Sequence, residues 1–427
     1  ARVAEPERWR AAGHRRPLHW VFKVGDLRAT LDFYVGLLGM HVHRHEEFAS
    51  GCEATCNGPY GGAWSKTMVG YGDENRNFAL ELTCNYGVPG YDLGNDLRHV
   101  ALKRSALARE PGPEAEERAG GGGSIIRSPD GYTFLLVDGA EGFGRADEPF
   151  LFVSIHVADL AASRAFYMDV LGAEEVEGVP GALGGDTSLM LSFGGDVHVE
   201  LVQLPAGEKL QHLTAPGRFA TETEDGAPEY IGQAVADAQG TILHGPLKLQ
   251  PHGEEVVIVA DPDGHEYCFV DARGYQNCID VCLREGGTDV DWNYRERLEA
   301  AAQKGGEEAK REIVRLMAGD YDSARVGTAI DGFVSKAPVV IFSQTDCKFC
   351  KKTKALLTDL GIAYEAVELD TMGQEGYAIR AELEKRTGRS SVPNVFIAGI
   401  SQGGFSEGPN GGVEAMSASG ELQALVE

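Results

Sequence analysis

The sequence predicts a multidomain chain that combines α+β and α/β layers. The first sign is an internal repeat. Val24-Gly25-Asp26-Leu27, Phe33-Tyr34, Leu38-Gly39 and Pro129-Asp130-Gly131 return as Val157-Ala158-Asp159-Leu160, Phe166-Tyr167, Leu171-Gly172 and Pro262-Asp263-Gly264, every pair offset by 133 residues. The second sign is the pattern inside each repeat, in which one strand leads into a helix and then into several strands. The third is a regular alternation of strands and helices after Ala337, which predicts an α/β layer.

Taken in order, residues 1–16 read as an N-terminal tail, rich in arginine (Arg2, Arg8, Arg10, Arg15, Arg16) with no apolar signal core behind it. A solvated end and the remnant of an organellar transit segment both fit that composition. The first repeat domain is expected over 17–140. His19–Val24 has strand composition, and Leu27, Leu31, Phe33, Tyr34, Leu37 and Leu38 recur at helical spacing after Asp26. Gly39 supplies the C-terminal cap. Strands are predicted over Ser65–Gly70 and Asn77–Thr83, from His99 onward, and over Tyr132–Val137 after the Pro-Asp-Gly turn. Glu110–Gly123 is rich in Pro, Glu, Arg and Gly and reads as a surface loop. The second repeat domain is expected over 150–272. A helical connector at 273–336 centres on Tyr294–Leu316, which is dense in helix formers and paired charges. The third domain, 337–427, reads as strand Val339–Phe342, helix Cys347–Leu360, strand Tyr364–Leu369, helix Tyr377–Thr387 and strand Asn394–Ile397.

Composition narrows the function. Asp and Glu number 65 against 39 Lys and Arg, a formal charge of -26. Such a chain repels phosphate backbones and anionic headgroups, so neither nucleic acid nor a membrane is expected as partner. No apolar run approaches the roughly 18 residues that would span a bilayer. Eight cysteines in 427 residues are too sparse for a secreted disulfide framework, so a reducing compartment is expected. The cytoplasm fits, with plastid or mitochondrion as the alternative.

Cys347-Lys-Phe-Cys350 follows a buried-type strand and opens a helix. A cysteine there feels the positive end of the helix dipole, which favours the nucleophilic thiolate, and a second thiol three residues on resolves a mixed disulfide. The bland alternative, half of a zinc knuckle, lacks a second CxxC. The segment resembles the glutaredoxin family through Val339-Val-Ile-Phe-Ser343, Cys347-Lys-Phe-Cys350, Ser391-Val-Pro393 and Gly403-Gly404. The resemblance implies a thioredoxin fold and glutathione-dependent thiol–disulfide exchange on glutathionylated or disulfide substrates. Cys347 and Cys350 would be catalytic. Gln344, Val392, Pro393 (expected cis), Gly404, Ser406 and Glu407 would bind glutathione. The chain departs from the family at Gln344, where a lysine is usual, at Ser391 for threonine, and at Phe405 and Glu407 in the Gly-Gly motif.

The first repeat resembles glyoxalase I and the vicinal oxygen chelate superfamily, closest to its glyoxalase domain-containing branch. Leu18-His-Trp-Val-Phe-Lys-Val24, Thr30-Leu-Asp-Phe-Tyr34, Cys56-Asn-Gly-Pro-Tyr60, Trp64-Ser-Lys-Thr-Met-Val69 and Leu80-Glu-Leu-Thr-Cys-Asn-Tyr-Gly87 carry the likeness. It implies tandem βαβββ modules curling into cup-shaped sheets. It also implies a divalent metal, Zn or Ni, on four ligand positions, as Lewis acid for a glutathione hemithioacetal. Those positions fall on His19, Glu81, His99 and Leu135 in the first repeat, and on Phe152, Glu200, Arg218 and Cys268 in the second. His19, Glu81 and His99 are therefore the metal candidates. If modules exchange partners, the sets become His19, Glu81, Arg218 and Cys268, and His99, Leu135, Phe152 and Glu200. No set is a complete glyoxalase I site. The expected function is a glutaredoxin carrying a degenerate glyoxalase-like tandem that binds glutathione adducts or a partner. The alternative is an active lactoylglutathione lyase in the first repeat. Cys278 and Cys282, spaced i, i+4, read as a pair of small thiols.

Overall fold

A computed structural model of the chain describes residues 15–52, 54–113, 115–249, 253–284, 287–345 and 347–426. Most of the expected tail, with Arg2, Arg8, Arg10 and Trp9, lies outside the described residues.

Four β-rich modules follow one another. The first holds β1 (Arg16–Lys23), α1 (Leu27–Tyr34), β2 (His41–Phe48), β3 (Trp64–Gly70) and β4 (Ala79–Asn85). The second holds β5 (Leu97–Lys103), β6 (Glu116–Glu117), β7 (Gly123–Arg127) and β8 (Thr133–Val137). The third is β9 (Phe150–Val157), α2 (Leu160–Ala165), β10 (Glu174–Glu175), β11 (Ser188–Ser192) and β12 (His198–Gln203). The fourth is β13 (Arg218–Thr223), α3 (Ala227–Asp237), β14 (Thr241–Lys248), β15 (Glu255–Ala260) and β16 (Glu266–Asp271).

The modules pair across the repeat. One eight-stranded sheet runs β14-β15-β16-β13-β1-β4-β3-β2, the other β10-β11-β12-β9-β5-β8-β7-β6. The seams are antiparallel, β1 to β13 and β5 to β9. Each of the stretches 17–140 and 150–272 therefore gives one module to each sheet. The physical reason is visible in the aromatic packing. Modules within one repeat meet face to face rather than edge to edge: Phe22 stacks on Tyr132 at 4.2 Å, Tyr34 on Phe134 at 5.6 Å, and Tyr167 on Tyr267 at 5.1 Å. Strand edges are left for the neighbouring repeat.

The repeated motifs explain each other. The Asp130 carboxylate accepts the Gly25 N–H and the Thr30 hydroxyl, both at 2.8 Å, and so pins the strand-to-helix corner. Asp263 does the same for the Ala158 N–H at 2.9 Å. Asp26 and Asp159 cap the helices that follow.

A helix, α4 (Ala272–Arg284), continues from β16. Tyr275 and Ile279 pack in one cluster with Leu18, Ala220, Val256 and Val270, so α4 covers the face of the first sheet that carries His19. These elements form one compact unit, made of the described residues up to Glu47 and Trp64–Val290.

The second unit comprises Phe48–Ala63 and the chain from Asp291 onward. It holds α5 (Trp292–Ala302), α6 (Gly306–Ala318), α7 (Ser323–Val334), β17 (Val339–Ser343), α8 (Lys348–Asp359), β18 (Glu365–Glu368), α9 (Gly373–Thr387), β19 (Asn394–Ile397), β20 (Ile400–Gly403), α10 (Gly412–Ser419) and α11 (Glu421–Ala424). Its sheet order is β18-β17-β19-β20, with only β17–β18 parallel. The expected connector 273–336 is thus divided: α4 belongs to the first unit and α5–α7 to the second. The single helix expected over Tyr294–Leu316 breaks at Gly305-Gly306, whose φ angles of 71° and 57° no helix interior accommodates. α6 is no free tether, because Val314 and Ala318 pack on Ala381 of α9 and Arg315 pairs with Glu384 at 2.7 Å.

Candidate functional site

The thiol site is built by three elements. Val339–Ser343, buried throughout, is the central strand and delivers the chain to the start of α8. Cys347 is the N-cap of α8, and its Sγ accepts the Cys350 N–H at 3.1 Å. That donor and the helix dipole both favour negative charge on sulfur. Cys347 is half-buried and Cys350 fully buried, and the two are joined as a disulfide. The Val392–Pro393 peptide is cis, and the Val392 carbonyl oxygen lies 3.7 Å from Cys347 Sγ.

The remaining expected glutathione residues fall around this centre. The Gln344 carbonyl accepts the Cys347 N–H at 3.3 Å. Gly404 donates its N–H to the Glu407 carbonyl at 2.6 Å and lies so close to the Arg389 guanidinium that a side chain there would have to displace it. Ser406 and Glu407 are exposed in the same turn. Sequence reasoning missed Arg389, whose Nε donates to Pro393 O at 3.1 Å and whose Nη1 meets Glu407 Oε2 at 3.1 Å. Its signal was a cation four residues before the cis proline. Phe405 stands 6.2 Å from Phe349, and Lys352 caps both rings at 5.5 and 5.7 Å. Phe349 is 49% exposed, so an aromatic step borders the thiol.

On the first sheet, strand register places the candidate ligands in two adjacent rows. Ala220 lies between His19 and Cys268; Val21 lies beside Glu81, and Arg218 beside Glu266. His19 Nε2 is 3.4 Å from Glu81 Oε2. Burial pulls the His19 imidazole down to about 4, against the opposing pull of Glu81, so it is neutral. Arg218 spends its guanidinium on Glu266, at 2.6 and 2.8 Å. Burial pushes the Cys268 thiol up to about 12, which keeps its proton on. A guanidinium and a protonated thiol in two of four positions do not fit a divalent ion. Burial, reinforced by Arg218, pulls the Lys23 ammonium down to about 8.

α4 closes this face. The Tyr275 ring sits 6.2 Å from His19, and its hydroxyl donates to Glu74 at 2.8 Å. Glu74 also takes Arg44 Nε at 3.1 Å, and Arg44 reaches Cys278 Sγ at 3.6 Å and Cys282 Sγ at 3.9 Å. Cys278 and Cys282 are thus buried thiols on the inner side of α4.

The structure brings His19 and Glu81 together but not His99. His99 lies on β5 of the other sheet, 5.7 Å from the Phe152 ring, with Nε2 buried and unpartnered. Burial, with Arg98 beside it, holds its imidazole down at about 3. Leu135, Phe152, Val179 and Met190 fill that face as one apolar cluster. Glu200, almost fully buried, is occupied by the Ser154 hydroxyl at 2.6 Å, the Leu183 N–H at 2.5 Å and Arg98 at 3.4 Å. This face does not fit a metal either.

Among the described residues, Asp96, His212 and His265 are the cluster with metal-ligand spacing. Three of its four ring nitrogens are already committed. His212 Nδ1 meets Asp96 at 2.8 Å and Nε2 donates to Asp263 O at 2.9 Å, while His265 Nε2 donates to His156 O at 2.8 Å. The Asp96 hydrogen bond raises the His212 imidazole to about 9. A raised folded-state value stabilises fully below the ordinary value near 6.5 and loses that contribution as pH rises through 9. From pH 6 to pH 9.5 the unfolding free energy from urea titration should therefore fall further for wild type than for His212→Ala, by about 1–2 kcal/mol, less than the whole shift because the ring is partly exposed. Equal losses in the two proteins would contradict a stabilising Asp96–His212 pair.

Comparison with known proteins agrees with this division. The family model for glutaredoxin matches residues 339–400. That for the Glyoxalase/Bleomycin resistance protein/Dioxygenase superfamily matches 16–136. The glyoxalase domain-containing protein 4-like C-terminal domain matches 159–278. The chain is 40% identical over 268 residues to Glyoxalase 1 of Caenorhabditis briggsae, covering 61% of this chain and 90% of that protein. It is 37% identical over 271 residues to glyoxalase domain-containing protein 4 of Rattus norvegicus, covering 61% and 87%. The crystal structure of glyoxalase I from Zea mays aligns with a TM-score of 0.51 and 26% identity, over 64% of this chain and 98% of that one. On these grounds the chain belongs to the glyoxalase domain-containing protein 4 family, and it carries a glutaredoxin domain after its tandem glyoxalase-like sheets.

Proposed function

We propose that the chain is a glutathione-dependent thiol–disulfide oxidoreductase, and that its glyoxalase-like sheets hold glutathione adducts or a protein partner without isomerising them. The observation that carries the reading is Cys347 Sγ at the head of α8, accepting the Cys350 N–H beside the cis Val392–Pro393 peptide. In the reduced protein the Cys347 thiolate attacks the glutathione sulfur of a mixed disulfide. The substrate thiol leaves and takes a proton, and Cys347 carries the glutathionyl group. A second glutathione, or Cys350, attacks next; the first route releases glutathione disulfide and the second leaves the Cys347–Cys350 disulfide for two glutathiones to reduce. The Val392 backbone aligns the extended cysteinyl part, and Arg389 and Lys352 offer cations to the glutathione carboxylates. Reduction of a small glutathione mixed disulfide by the full chain, coupled to glutathione reductase and NADPH, tests the proposal. A rate equal to that of glutathione alone would end it.

The alternative is a lactoylglutathione lyase reaction on the first sheet. Two relatives of this chain, from Arabidopsis thaliana and Oryza sativa, carry that name. Against it stand Arg218, Cys268 and the cover of α4. Metal analysis of the purified chain, paired with a methylglyoxal–glutathione isomerase assay, separates the readings. The expected outcome is well under one divalent ion per chain and isomerase activity at background. One tightly held ion per chain, lost in His19→Ala, would favour the lyase.

A further inference from the structure

The loop between β2 and β3 carries a second cysteine pair, Cys52 and Cys56, joined as a disulfide. Although it leaves and re-enters the first sheet, Phe48–Ala63 forms one compact unit with the redox domain and α5–α7. Its described residues are tied together from within. The Asn57 side chain accepts the Cys52 N–H at 3.1 Å and donates to Tyr60 O at 2.8 Å, and Thr55 N–H donates to Cys52 O at 2.9 Å. Ala54 and Asn57 are fully buried, while Cys52 and Cys56 stay half-buried. The free thiols differ in place: Cys84, Cys278 and Cys282 are buried and Cys268 is half-buried, all inside the first unit. The chain therefore holds two dithiols of different construction in one unit. One sits at a helix N-terminus, where thiolate is favoured; the other sits half-buried in a loop between two strands.

Resting on the oxidoreductase reading above, we infer that the Cys52–Cys56 disulfide is an in-chain substrate of Cys347. The Cys347 thiolate attacks the sulfur of Cys52 or Cys56. The Cys52–Cys56 bond breaks, and its leaving sulfur takes a proton from solvent. Cys350 then attacks Cys347 Sγ, which frees the second loop thiol and leaves Cys347–Cys350 oxidised. Two glutathiones reduce that pair, giving glutathione disulfide. Two electrons pass from glutathione to the loop.

Differential alkylation and mass spectrometry of the oxidised full chain, after addition of glutathione, glutathione reductase and NADPH, reads the test. Cys52–Cys56 should open at least tenfold faster in wild type than in Cys347→Ser, with a rate independent of protein concentration. In Cys350→Ser, peptides linking Cys347 to Cys52 or Cys56 should accumulate. Cys52→Ser/Cys56→Ser should still reduce an external mixed disulfide at the wild-type rate. Equal loop reduction in wild type and Cys347→Ser, or a rate that scales with protein concentration, overturns the relay while external turnover continues. Loss of external turnover in wild type overturns the oxidoreductase reading and the relay together.

Discussion

Cys347→Ser is expected to lower turnover of a glutathione mixed disulfide by about 10³-fold or more, the scale of removing an enzyme's nucleophile. A serine hydroxyl at the head of α8 still accepts the Cys350 N–H, so the local fold is kept. Its oxygen, however, stays protonated near neutrality and makes no bond to sulfur under these conditions. Cys350→Ser should behave differently. Cys350 is fully buried and reaches substrate only through Cys347. Its loss leaves the glutathionyl intermediate to be resolved by free glutathione, and turnover should stay within about tenfold of wild type. The coupled NADPH assay measures both. Equal losses in the two variants would mean that the pair acts structurally and that Cys347 is not the attacking sulfur.

Glu74→Ala should produce the largest loss of stability in the first unit. Glu74 is 5% exposed and receives the Arg44 guanidinium, itself 2% exposed, together with the Tyr275 hydroxyl. Removing the carboxylate leaves a buried cation with Glu46 as its carboxylate partner, beside the Cys278 and Cys282 sulfurs, and takes the Glu74 acceptor from the tyrosine that anchors α4. Breaking a buried pair this way costs about 3–5 kcal/mol. For a unit of this size that lowers the melting temperature by roughly 6–15 °C. Replacing both partners with Glu74→Leu and Arg44→Met should recover part of the loss, because no uncompensated charge is left. A melting shift under about 2 °C for Glu74→Ala, read by circular dichroism, would show that Glu46 suffices.

The parts of the molecule visible in the sequence are those written locally. The 133-residue offset is legible because Asp130 and Asp263 each cap a corner of their own repeat, so both partners travel together. Cys347-Lys-Phe-Cys350 is legible because a strand, a cap and a helix start are neighbours in the chain. Module pairing is not, because period-two alternation says which face of β1 is inward and is silent on whether β8 or β13 lies at its edge. The same silence separates His99 from His19 and places Arg218 and Cys268 beside it. The cover of α4 escapes for a related reason: Tyr275 and Ile279 mark an apolar helical face, but their partners Leu18, Ala220 and Val256 come from three distant strands. Asp96, His212 and His265 come from separate modules, and no motif joins them.

Cross-repeat pairing also sets an order of events during synthesis. The inner seam, Leu102 against Phe150, closes a short loop; the outer seam, His19 against Ala220, encloses the whole inner sheet. Loop-closure entropy favours the inner sheet first. β1 must then wait, its edge unpaired, until β13 has left the ribosome, and for that interval the nascent chain presents an apolar strand edge open to any neighbour. A ribosome paused between Val137 and Arg218 holds the chain at its most association-prone stage, so a longer pause over that stretch should lower the yield of folded protein.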